Sequence, residues 1–224
     1  MNKRYRRNLT LTRHSIFRLR RLTSRPRQTL KSGNAFAVVD SHGDIGVVAG
    51  EVDGIFHCDT RHLSRLEVLI DGAQPLLLGS NMRDDNTLLT VDLTNADQYL
   101  ENELILQKDT LHIVRTFFLW QGVAYLRLGI QNHGDVKVCC TVSIVFANDF
   151  ADIFEVRGTR RAERGKLRSP VIDLQSIVLG SVENQDSPWK LGVIQAFDGK
   201  IRFDGRPMGE DGTSLFGQTQ RSWS

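Results

Sequence analysis

The chain has 224 residues, 40 % of them hydrophobic, with 29 Lys and Arg against 26 Asp and Glu and 19 glycines to 5 prolines. That length suits one large domain, or one domain with appendages, and is enough for a real core. No apolar stretch nears the ~20 residues that span a bilayer, and collagen-like, disulfide-scaffold and wholly disordered classes fail on composition.

The net charge of +3 averages two unlike regions: residues 1–39 hold 11 Lys and Arg and no acid, whereas 18 basic and 26 acidic residues follow from Asp40 onward. Residues 1–28, with Arg4, Arg6, Arg7, Arg18, Arg20 and Arg21 among Thr and Ser, read as a basic, disordered tail. The tail lacks the apolar run of a secretory signal. An Arg-rich, acid-free start also fits an organelle transit peptide, a nucleic-acid-binding arm, or residues upstream of a misplaced start codon. No aromatic-bearing module accompanies the charge, so nucleic acid is not expected as a partner.

From Ala35 the apolar period is close to two. Leu66, Val68 and Ile70 form an alternating strand closed by the turn signal Asp71-Gly72. Leu76–Leu78, Leu88–Leu93 and Glu103–Gln107 continue a series of short strands, with a helical turn or two expected over Asn95 to Asn102. Leu111 to Trp120 is apolar on both faces, as for a strand deep in a sandwich, and Gln121-Gly122 turns the chain. Leu126, Leu128 and Ile130 then alternate with Tyr125, Arg127 and Gln131. After the polar turn Asn132-His133-Gly134-Asp135, Val136, Val138, Cys140, Val142, Ile144 and Phe146 share one face of the next strand. Val171–Leu174 and Ile177–Leu179 read as later strands. Short strands joined by short turns, without intervening helices, predict an all-β antiparallel sandwich of two large sheets.

Three cysteines are an odd number, and the adjacent Cys139 and Cys140 point to opposite faces of a strand. Cys58 is left without a partner, which favours a reducing, cytoplasmic setting. The densest polar cluster is His57-Cys58-Asp59-Thr60-Arg61-His62. On a strand, His57, Asp59 and Arg61 would face one way, with Asp59 and Arg61 as a loop-organising ion pair. The two histidines would face opposite ways and no metal-ligand spacing supports them, so no metal is expected.

A second cluster runs from Asn148 to Gly158. Its carboxylates Asp149, Asp152 and Glu155 lie too close in sequence to face each other across a glycosidic bond. They read instead as a strand exit: Asp149 caps the turn, Phe150 and Phe154 staple it, and Asp152 or Glu155 pairs with Arg157. Trp120 could stack on a sugar, but its place on so apolar a strand points to the core. Gly43, Gly46, Gly50 and Gly54 are spaced as loop glycines, not as a nucleotide cradle. No catalytic constellation assembles and no cofactor is expected.

The segments Thr29–Phe36, Gly54–Ser64, Leu89–Asn95, Leu111–Thr116 and Asp149–Gly158, in that order, resemble the N-terminal domain of bacterial glycogen debranching enzymes of the amylo-α-1,6-glucosidase type. The resemblance covers roughly residues 29–165 and fades after about 166. Cys58 departs from the larger polar residue, often Arg, expected before Asp-Thr-Arg. The resemblance implies a β-sandwich over residues 29–224 that packs against a catalytic (α/α)6 barrel, with the acid and base carboxylates on the barrel and the barrel outside this chain. It implies no catalytic residue here. Expected partners are that barrel domain or an α-glucan, with no membrane, and self-association through an exposed face. The alternative is a stand-alone carbohydrate-binding module. Asp59, Arg61, Trp120, Asp149, Asp152 and Glu155 are the candidate contacts for a glycan or a neighbouring domain.

Overall fold

A computed structural model describes residues 26–47, 52–160, 165–173, 176–182, 190–195, 202–204 and 215–223. Most of the basic stretch, residues 1–25, lies outside them. Its last three residues do not: after Pro26, Arg27 and Gln28 open the first strand, where Arg27 Nε donates to the buried carboxylate of Asp53 at 2.5 Å.

The fold is all-β and antiparallel, as the period of two requires. One sheet runs in order β1 (Arg27–Ser32), β2 (Ala35–Asp40), β3 (Gly54–His57) and β4 (Thr60–Leu63). A second has the order β11 (Val123–Asn132), β10 (Leu111–Trp120), β7 (Leu88–Thr94) and β6 (Leu76–Met82). A third is β17 (Arg202–Asp204), β18 (Leu215–Trp223), β12 (Val138–Ala147) and β5 (Arg65–Ile70). The fourth centres on β15 (Ser176–Val182), which pairs with β13 (Lys166–Leu167), β14 (Val171–Ile172) and β16 (Lys190–Gln195). A separate hairpin joins β8 (Gln98–Leu100) to β9 (Glu103–Leu106). The strands thus divide more finely than into two large sheets.

One apolar core joins the four sheets. Leu30 and Val39 come from the first, Leu89, Ile113 and Phe117 from the second, Val68, Val142 and Phe146 from the third, and Ile177 and Leu179 from the fourth. In β10 the alternation is clean: Leu111, Ile113, Arg115, Phe117 and Leu119 are buried and the intervening residues are not. In β12, Val138, Cys140, Val142 and Phe146 are buried as expected, while Val136 lies before the strand and is exposed.

The helical turn expected at Asn95–Asn102 is absent. Asn95 instead ties two loops together, its Oδ1 accepting from Leu111 N at 2.7 Å and its Nδ2 donating to Gln107 O at 2.6 Å. Glu101 and Asn102 then adopt φ of 49° and 71°, the geometry of a tight hairpin rather than a helix.

Cys139 is exposed and Cys140 buried, as their adjacency on a strand predicts. Burial pushes the Cys140 thiol up to about 12, with Asp71 and Cys139 adding to the rise. A disulfide-exchange reagent is therefore expected to label Cys58 and Cys139 quickly and Cys140 only on unfolding. Equal labelling rates for all three thiols in native buffer would contradict this burial.

Among the described residues the largest fully buried side chain is that of Arg115. Its Nη1 donates to Asp44 Oδ1 at 2.5 Å and to His42 O at 3.0 Å, clamping the loop after β2 onto the inner face of β10. Asp40 Oδ1 shapes that loop by accepting from His42 N and Asp44 N, and Gln74 Nε2 donates to Asp44 Oδ2 at 2.6 Å. Burial raises Asp44 to about 6, outweighing the opposing pull of Arg115; the neighbouring Asp40 raises it further.

Candidate functional site

The motif residues gather at one end of the molecule. Cys58 and Asp59 have φ of 46° and 61°, which makes them the two central residues of a tight hairpin between β3 and β4. They are therefore not mid-strand, and the expected sharing of a face by His57, Asp59 and Arg61 does not occur. His57, Cys58 and Asp59 are all exposed on the tip.

Arg61 does not pair with Asp59. Its guanidinium makes a two-pronged bond to Asp149, with Nε donating to Oδ1 at 3.1 Å and Nη2 to Oδ2. Its Nη1 donates to the carbonyl of Asp53 at 3.1 Å. The fork geometry of arginine suits this bidentate clasp. The aliphatic stem passes over Gly54, where an added Cβ would lie 2.5 Å from Arg61 Cδ. Asp59 contributes through its backbone, its carbonyl accepting from Ile153 N at 2.9 Å, while Arg61 N donates to Ala151 O at 2.8 Å.

These bonds lash the segment after β12 to the β3–β4 hairpin, and Thr60 and Asp152 form an isolated β-bridge. Asp149 also accepts from Ala151 N at 3.3 Å, so it caps the turn as expected. Asp152 is the N-cap of a four-residue helix, α1 (Ile153–Val156), and accepts from Phe154 N at 2.8 Å. Glu155 reaches back to accept from Asp152 N at 3.1 Å, completing a capping box. The expected staple does not form. Phe150 is buried with φ of 48° and its ring meets His62 edge-on at 5.4 Å, whereas Phe154 is exposed.

Trp120 corrects another expectation. It ends β10 and is 56 % exposed, outside the core. The Gln121-Gly122 turn that follows reaches the same end, since a Cβ on Gly122 would lie 3.4 Å from His57 Nε2. Among the described residues no group of three or more His, Cys, Asp and Glu gathers where it could hold a metal ion. No described helix is long and apolar enough to cross a membrane.

The fold and this end define an antiparallel β-sandwich domain whose loop cluster is built from ion pairs and capping bonds. The family described as the N-terminal domain of some glycogen debranching enzymes matches residues 30–195, and the chain belongs to it. The match runs past residue 165 and takes in β13 to β16, ending before β17 and β18. No curated protein and no solved structure matches the chain.

Proposed function

We propose that this chain is a non-catalytic β-sandwich module of a cytoplasmic glycogen-debranching protein, supporting a catalytic (α/α)6 barrel domain that carries the hydrolytic carboxylates. The observation that carries the reading is the use made of the clustered carboxylates. Asp149 is clasped by Arg61, and Asp152 and Glu155 close the cap of α1. Glycoside hydrolysis needs two carboxyl groups facing one another across the scissile bond, and these three are engaged in holding a loop. The purified chain is expected to release no glucose from an α-1,6-branched dextrin. Turnover that disappears in Asp149→Asn or Glu155→Gln would overturn the reading.

A second reading, an α-glucan-binding module, is favoured by one observation. Trp120 presents its indole to solvent instead of to the core, and an exposed aromatic ring is a natural platform for the C–H face of a pyranose.

A further inference from the structure

The outer face of the β6–β7–β10–β11 sheet breaks the usual pattern of a half-solvated antiparallel sheet, whose outward residues are polar. On β10, Phe118 and Trp120 follow each other on the outward side, opposite Tyr125 and Val123 of β11. Phe118 and Tyr125 stack face to face at 4.6 Å with an interplanar angle of 7°, forming a stiff aromatic ridge. None of the three aromatic residues belongs to the core cluster.

The same face turns polar along the strands. Arg127 is one outward step from Tyr125, and Gly129 one step further leaves the backbone uncovered opposite Val114. Asp92 of β7 pairs with Val114 on the other side, its carboxylate bonded to His112 Nε2 at 2.9 Å. Four residues of strand, about 13 Å, separate the Phe118 level from the Val114 level. That is a track longer than one sugar ring.

We propose that this face binds a linear α-glucan, with Trp120 and the Phe118–Tyr125 ridge stacking on pyranose rings and Arg127 and Asp92 hydrogen-bonding their hydroxyls. The inference rests on the debranching-module reading for the identity of the glycan, and it moves the contact surface away from Asp59 and Arg61. Charge complementarity selects an uncharged ligand. Arg127 and Asp92 carry opposite charges, so the face offers no field of one sign to attract a nucleic acid or an acidic peptide. A polyhydroxyl chain needs what is here: flat apolar rings beside donors and acceptors of both kinds.

The test is calorimetry of the full chain with maltoheptaose. Binding in the millimolar range is expected, weakened about tenfold by Trp120→Ala, restored in large part by Trp120→Phe, and unchanged by Asp59→Ala. Thermal melts of the variants should coincide with that of the parent, because the substituted side chains stand outside the core. Binding lost in Asp59→Ala but kept in Trp120→Ala would overturn this location while leaving glycan binding intact. No heat at millimolar maltoheptaose, or a dimer that Trp120→Ala dissolves without any glycan response, would overturn the proposal. Either result leaves the non-catalytic reading to stand or fall on the glucose-release assay.

Discussion

Replacing Arg115 with methionine is expected to cost about 3–5 kcal/mol of folding stability at pH 7.5, the range for breaking a buried ion pair from one side. Arg115 and Asp44 are 1 % and 2 % exposed, so the orphaned carboxylate could not be rescued by water. The pair is nevertheless an expensive way to join a loop to a strand, because Arg115 Nε and Nη2 are buried and find no acceptor among the described residues. The double variant Arg115→Met/Asp44→Asn removes both charges and keeps the amide contact to Gln74, and should recover most of the loss. A single variant within 1 kcal/mol of the parent in urea unfolding, or a double variant no more stable than the single, would refute this account.

The same carboxyl gives the protein a pH signature. Asp44 is raised to about 6 in the fold from an ordinary 3.8. The folded state therefore binds more protons than the unfolded chain between those values, and stability from this group grows as pH falls from about 6 towards 4. It is lost again as pH rises through 6, a swing on the order of 3 kcal/mol. Asp44→Asn should flatten that part of the profile. The penalty of Arg115→Met should likewise be smaller at pH 5 than at pH 7.5, where the lone carboxylate must be charged or take up a proton against the solvent.

Arg115 also shows where sequence reading reaches its limit. The apolar run, read as apolar on both faces, marks Leu111 to Trp120 as a strand deep in a sandwich, whereas β10 over those residues alternates, with one face buried. The same alternation puts Arg115 in phase with Leu111, Ile113 and Phe117, which was the available warning that a charge lay on the inner face. Its partner could not be read, since Asp44 is 71 residues away. Arg61 poses the same difficulty. The nearest carboxylate in sequence, Asp59, is drawn to a hairpin tip, and the true partner is Asp149, 88 residues on. Local rules see neighbours; the ion pairs here join distant segments.

Local features were legible where short-range chemistry alone decides them. The Asp149 turn, the opposed faces of Cys139 and Cys140 and the turns at Asp71-Gly72 and Gln121-Gly122 all follow from adjacent residues. Apolarity averaged along a strand misplaces Trp120 because it says nothing of which face each residue takes: Leu119 points into the core and Trp120 outward. Asn95–Asn102 was misread because the side chain of Asn95 bonds to residues 12 and 16 positions away, which no window of helical period contains.

Gly46→Ala is expected to be the most damaging small substitution, costing about 3–4 kcal/mol. Two effects combine. Gly46 has φ of 67°, a conformation that costs an L-residue about 1 kcal/mol. In addition an added Cβ would sit 2.2 Å from the carbonyl oxygen of Ser64 and 3.3 Å from Arg65 Cα, both backbone atoms with no rotamer to yield. Relief requires either lifting the Asp44–Gly46 loop from β5, which breaks the paired bonds of Ile45 with Leu66, or shifting Ser64, whose N–H holds Ala147 O at 2.8 Å. The second route disturbs the segment that presents Asp149 to Arg61, so damage to the loop that Arg115 holds through Asp44 and to the loop cluster are two outcomes of one clash. Gly72→Ala is the matched control, with φ of 76° and nothing within 4 Å of the added carbon. It should lose only the conformational part, about 1 kcal/mol. On a domain of this size the two melting points should differ by about 4–12 °C. Indistinguishable melts would show that the Ser64 carbonyl gives way freely, and that the loop after β2 and the Arg61–Asp149 cluster are not mechanically coupled through it.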